Sequence, residues 1–212
     1  MISVVIISKD EAALDNTLTE VADQVKSLAE PGEILVVDAS SGRLDYIRDR
    51  HAVTVRWLEF QPLSGIRVTI PHQRNTGVRA AQGDIIVFID AGCRPATDWL
   101  QHLIAPLRKD DDAVAGAAQG LDGSTPYEGA PMADVGDITY LRECATMNFA
   151  FRRAAFDAVG GFDESFAYGS DVDFSWRLND SGYRIRSVPD AIVRHDYGSP
   201  RRQRRRAYVY GK

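Results

Sequence analysis

The chain has 212 residues, of which 44% are apolar and 26% charged. That is enough for one substantial buried core, and too ordinary a composition for a disordered or fibrous protein. The net charge of −5 hides an asymmetry: residues 200–212 hold five arginines and one lysine and no acid, leaving 19 basic against 30 acidic residues, a net of −11, in the remainder. An acidic body with a basic tail argues against a nucleic-acid-binding domain, where basic charge spreads over a folded face. Cys93 and Cys144 lack metal-ligand spacing and suggest no disulfide framework, which fits a reducing, cytoplasmic setting. Residues 1–8 lack a basic leader segment, and no apolar run reaches about 18 residues, so neither a signal peptide nor a membrane span is expected. The basic tail (199–212) suits a solvated end, an acidic partner, or peripheral contact with anionic lipid at the inner face of the membrane. It stops abruptly, as a truncated longer chain would.

Residues 2–7 read as a first strand. Leu14, Leu18, Val21, Val25 and Leu28 recur at spacings of four and three, which predicts an amphipathic helix ended by Pro31-Gly32. Residues 33–38 give a second strand closed by Asp38, residues 44–50 a short helix, and residues 53–58 a third strand. After a loop with Pro62 and Gly65, residues 72–82 read as a helix with Gly83 at its C′ position. The run Ile85-Ile86-Val87-Phe88-Ile89 then predicts a strand buried on both faces, stopped by Asp90-Ala91-Gly92. Strand and helix in alternation predict a mostly parallel sheet with helices on both faces.

A helix is expected over residues 99–105, capped by Thr97 or Asp98, and a strand over 114–118. Residues 119–142 carry so many glycines and prolines that they read as one long loop. Residues 146–151 predict a strand, 153–159 a short helix, and 171–180 a helix with Asp173 and Arg177 paired at i, i+4. Alternation over 183–188 predicts the last strand, followed by Pro189 and His195. One domain over residues 1–198 accommodates all of this.

Acids thus fall at element ends: Asp38, Asp90, and Asp171 with Asp173 at a helix start. In open α/β sheets, ligands gather beyond the carboxyl ends of the strands. There a carboxylate can accept hydrogen bonds from a nucleoside or help to hold a cation.

In this order the motifs resemble the family 2 glycosyltransferases, inverting enzymes with the GT-A (nucleotide-diphospho-sugar transferase) fold. Ser3-Val-Val-Ile-Ile-Ser8 looks like the family's nucleotide-base strand, and Leu35-Val-Val-Asp38-Ala-Ser-Ser41 like its nucleoside motif. Arg74-Asn75-Thr76-Gly77 matches its Arg-Asn-x-Gly element. Phe88-Ile-Asp90-Ala-Gly92 falls at its Asp-x-Asp. Gly160-Gly-Phe-Asp-Glu164 followed by Gly169-Ser-Asp171-Val-Asp173 looks like its acceptor side, and His195 falls where many members place a metal ligand. The resemblance implies a nucleotide-diphosphate sugar donor contacting Ser8, Asp38, Arg74, Asn75, Asp90, Ala91 and Gly92. It implies Mn²⁺ or Mg²⁺ held by Asp90 and His195, with Arg74 or Arg67 assisting. Asp171 would be the general base on a sugar, lipid-linked or small-molecule acceptor. Ala39, Gly92 and Ser170 stand where the family usually has acids, which leaves a non-catalytic GT-A domain binding nucleotide sugar or a partner protein as the second reading. Trp99 and Trp176 are candidates for stacking on an acceptor sugar or for core packing, and Cys93 has no base at hand to make it a nucleophile.

Overall fold

The apolar periods of the first half build what they require: β1 (Ile2–Ser8), α1 (Leu14–Lys26), β2 (Gly32–Asp38), α2 (Asp45–Arg50), β3 (Val55–Glu59), α3 (Ile70–Ala80) and β4 (Ile85–Ile89). The structure, a computed structural model, describes residues 1–61, 70–124 and 128–196. Arg67, the loop with Pro62 and Gly65, and the basic tail lie outside the described residues. β3, β2, β1 and β4 are neighbours in that order and all parallel. The order reverses at β1, which opens a crevice at the carboxyl ends of β1 and β4.

The second half extends the sheet with β5 (Arg94–Pro95), α4 (Trp99–Ile104), β6 (Ala113–Gly120), β7 (Ala130–Val135), β8 (Ile138–Glu143), β9 (Asn148–Arg152), α5 (Arg153–Ala158), α6 (Ser170–Asp180) and β10 (Ile185–His195). The order continues β4-β9-β6-β10-β8-β7, with β5 paired to β10. β9 runs antiparallel to both β4 and β6, while β6 and β10 are parallel. Two reversals cancel, so β1, β2, β4, β6 and β10 all end at one edge of the sheet.

Alternate side chains go to opposite faces. Val4 and Ile6 join α1, α2 and α4 in one core cluster, while Val5 and Leu35 join α3, α5 and α6 in the other. The second core is rich in phenylalanine: Phe162 stacks on Phe174 at 4.2 Å, and Phe149, Phe151 and Phe156 pack around them.

Four expectations are corrected. Residues 119–142 are not one loop, because they contain the end of β6 and the β7–β8 hairpin. β7 is exposed along nearly its whole length, so it carries no apolar alternation, and Pro131 sits at a register shift on this edge strand. The last strand does not stop at residue 188; β10 continues to His195 through an irregularity between Val188 and Ile192. Gly83 is not the left-handed cap of α3. Its N–H donates to Ser3 Oγ, and the Arg153 guanidinium takes the carbonyls of Val78, Ala81 and Gly83 instead. Neither Thr97 nor Asp98 caps α4 through its side chain; Asp98 occupies the cap position with φ 59°.

α3 lies close on the sheet because Gly77 lets it. A Cβ there would stand 2.4 Å from Val5 Cγ1 and 3.2 Å from Val37 Cγ2, both core side chains of the sheet. Gly77→Ala should therefore lower stability by about 1–3 kcal/mol, read as a lower urea midpoint at unchanged m-value.

Candidate active site

The common strand edge assembles the site. Ser8 ends β1 and lies in register with Asp38 at the end of β2. The Gln73 amide of α3 bridges the two strands, donating to the Ser8 and Val37 carbonyls at 3.1 and 3.0 Å. Asp38 is 3% exposed, and its Oδ1 accepts from the Ser40 N–H at 3.1 Å and the Ser40 hydroxyl at 2.5 Å. Ser40 Oγ in turn accepts the Asp10 N–H. Burial pushes the Asp38 carboxyl above its usual range, and the Ser40 hydrogen bonds only partly offset this.

Two strands along the edge from β2, a cavity of about 590 Å³ opens. Arg74, Asp90, Thr146, Tyr168, Asp171 and His195 are among its walls. Each arrives by a different route: Arg74 from α3, Asp90 from the end of β4, and His195 from the end of β10. Thr146 comes from just before antiparallel β9, where Asn148 stands opposite Ile89. Tyr168 and Asp171 flank the left-handed Gly169 that turns the chain into α6. Four residues singled out from the sequence, Arg74, Asp90, Asp171 and His195, thus share one cavity.

The others are placed differently. Ser8 and Asp38 lie next along the edge rather than in this cavity. Ala91 and Gly92 form the turn after β4, with Gly92 at φ +89°. Thr17 of α1 clasps that turn, its hydroxyl accepting the Gly92 N–H at 3.0 Å and donating to the Cys93 carbonyl at 2.7 Å. Asn75 does not line the cavity; its side chain is committed to the turn before α6. It donates to the Phe162 carbonyl and Glu164 Oε1 and accepts from the Phe162 N–H, at 2.8 to 2.9 Å. Asp173 pairs with Arg177 at 2.7 Å, as its spacing predicts. Trp99 is a core residue whose indole donates to Asn148. Cys93 is fully buried, with its thiol raised by burial and then by Asp90.

Sequence reading missed Gln73, Thr146 and Tyr168. Thr146 Oγ1 is buried without a hydrogen-bond partner among the described residues, and its polarity at the start of a predicted strand was the available signal. Among the described residues, no three His, Cys, Asp or Glu side chains converge to hold a metal ion.

The profile described as Glycosyl transferase family 2 matches residues 3–167, well over half of the chain. The chain belongs to glycosyltransferase family 2. A profile of Glycosyl transferase family group 2 also matches residues 138–212. Pre-mycofactocin glycosyltransferase of Mycobacterium tuberculosis is 33% identical over 142 residues, covering 58% of this chain and 29% of that protein. Validoxylamine A glucosyltransferase of Streptomyces hygroscopicus subsp. jinggangensis is 27% identical over 241 residues, covering 93% of this chain and 54% of the relative. The chain therefore spans about a third to a half of the length of these curated relatives. GalNAc-T7 with UDP, GalNAc and Mn²⁺ superposes with a TM-score of 0.73 at 20% identity, covering 94% of this chain and 44% of that one. The mannosyltransferase PcManGT from Pyrobaculum calidifontis with GDP-Man and Mn²⁺ gives 0.69 at 20% identity, covering 97% and 59%. The fold is the GT-A fold of these neighbours.

In this family 2 chain, Asp38→Asn keeps an acceptor oxygen for Ser40 and removes a buried charge. Because burial raises the folded carboxyl above its unfolded value near 3.8, the ionised side chain weakens the fold only as pH rises above about 4. The variant's Tm should match the parent's below that pH and equal or exceed it at pH 7. Thermal melts at both pH values check this, and a variant less stable at pH 7 than the parent would contradict it.

Proposed function

We propose that the chain transfers a sugar from a nucleotide-diphosphate donor to an acceptor hydroxyl, with inversion at the anomeric carbon. The observation that carries the reading is the shared cavity of Arg74, Asp90, Asp171 and His195. Relatives named as glycosyltransferases, and neighbours of the same fold with UDP-GlcNAc or with GDP-Man and Mn²⁺, support it.

The nucleoside would lie across the ends of β1 and β2, where Asp38 is held ready by Ser40 and Ser8 is its neighbour. The backbone of Ala91 and Gly92 would border the path from there to Asp90. Arg74 is 6% exposed and packs over Phe162 at 5.5 Å, so a permanent positive charge faces the diphosphate in a water-poor wall. Asp90 and His195 give a carboxylate oxygen and an imidazole nitrogen in one cavity. This donor set fits Mn²⁺ or Mg²⁺ with the remaining positions filled by water and diphosphate oxygens. When bound, such a cation supplies neutralisation of the charge growing on the leaving group.

Asp171 would take the proton from the acceptor hydroxyl as it attacks the anomeric carbon. It stands in the first turn of α6, where the helix dipole favours the carboxylate. Asp173 is spent on Arg177. Asn75 would act through the turn it holds, keeping Tyr168 and Asp171 in place.

Calorimetry with UDP, GDP and dTDP should show binding of at least one nucleotide that strengthens with Mn²⁺ and weakens on Asp90→Ala. No binding with or without metal would sink the donor assignment. Asp171→Asn should lower kcat by about 10²-fold or more while nucleotide affinity stays within a few-fold of the parent. Full turnover by that variant would remove Asp171 as the base.

A further inference from the structure

Trp176 is 43% exposed on α6, yet it is held in one orientation. Its indole N–H donates to Glu143 Oε2 at 3.0 Å, and the Arg142 guanidinium lies over one face of the ring, 5.2 Å from its centroid. The only polar atom of the ring is thereby satisfied within the protein, so the exposed part of the ring is apolar. The other two tryptophans differ: Trp99 is fully buried, and Trp57 is half-buried against the core.

Position adds a second observation. Val172, one turn earlier on the same helix face, lines the active-site cavity, and Asp171 precedes it. Glu143, which holds the indole, ends β8 and leads through Cys144 into Ala145 and Thr146, which line the same cavity. The ring therefore ties together the two segments that line this part of the cavity and stands one helical turn beyond Val172.

We infer that Trp176 is a stacking platform for a pyranose ring of the acceptor, so the acceptor is a saccharide rather than a free lipid alcohol. This rests on the glycosyltransfer reading and deepens it. A pyranose offers a face of C–H groups for the indole, which suits aromatic packing. Its rim of hydroxyls would meet the Glu143 carboxylate and the Arg142 guanidinium, an acceptor and a multiple donor already standing beside the ring. An alkyl chain would gain the same ring contact but strip water from those charges without replacing the hydrogen bonds.

The test is NMR titration of the protein with methyl β-glucoside, methyl α-mannoside, methyl β-galactoside and methyl N-acetyl-β-glucosaminide, with and without UDP or GDP. The three tryptophans give three indole N–H signals, and Trp176→Phe assigns the relevant one. At least one glycoside should shift that signal and receive saturation transfer on the protons of one ring face. Trp176→Ala should weaken that binding tenfold or more, about 1.4 kcal/mol, and Trp176→Phe should weaken it less, with Tm and nucleotide affinity near the parent in both. The platform is overturned if no glycoside moves the signal, if Trp176→Ala binds glycosides like the parent, or if octanol shifts the indole as strongly as the sugars do. Loss of nucleotide binding in the parent protein would instead count against the glycosyltransfer reading, because the glycoside signals report on the platform alone.

Discussion

The hydrogen bonds of Asn75 to the turn before α6 are the interaction on which the cavity depends. They join residues 87 and 89 positions apart, and all three run through a side chain that is 4% exposed. A buried amide left without such partners costs about 1–3 kcal/mol. Once the turn is fixed, Phe162 is delivered onto Phe174, and Arg177 reaches back to the Val159 and Gly161 carbonyls at 2.7 and 2.8 Å. α6 is then anchored on the same side as α3, and its first turn brings Ser170 and Asp171 into the cavity that Arg74 lines. The long Arg74–Ser170 contact of 3.5 Å closes the loop between the two helices.

The second dependence is the cancellation of strand directions. Antiparallel β9 between β4 and β6 would by itself send chain ends to opposite edges. Because it is crossed twice, β10 finishes beside β6 on the edge where β4 finishes, and His195 reaches the cavity of Asp90. Asn148, at the start of β9, steadies this arrangement by donating to the Ala117 and Ala191 carbonyls at 2.8 and 2.7 Å. Ala191 lies within the irregular stretch of β10, so the amide supplies a partner where the ladder cannot. The same side chain accepts the Trp99 N–H, which links α4 to the edge as well.

Legibility in the sequence followed burial. β1, β2 and β4 are covered on both faces, so their sequences are dominated by apolar residues, and the ends of β2 and β4 are marked by acids. The β7–β8 hairpin is wetted on both sides of β7 and carries no such period, so glycine and proline were all that showed. The motif containing Asn75 was legible as a motif, but its role was not. An amide beside an arginine reads as a ligand contact until the turn some 87 residues away is seen to occupy it. Likewise Gly83 looked like a cap, when the carbonyls at the end of α3 are taken by Arg153, just after β9. Local spacing cannot report a partner that only the sheet order brings near.

Gly92 shows how the local backbone shapes the chemistry proposed for the site. Thr17 holds the turn after β4 at both the Gly92 amide and the Cys93 carbonyl, with residue 92 at a left-handed φ of +89°. A residue with a Cβ there would bear strain of order 1–2 kcal/mol. Its Cβ would stand 3.6 Å from Glu11 Cγ and Cδ, so an acid at this position would begin beside another carboxylate. In a site proposed to receive a diphosphate, a carboxylate at residue 92 beside that of Glu11 would add repulsion. The second donor proposed for the site comes instead from across the sheet, as the His195 imidazole at the end of β10. On this reading the missing acid leaves a cation with one carboxylate rather than two. It would then be held more weakly by the protein alone and more by the donor diphosphate, so metal and nucleotide should bind as a pair.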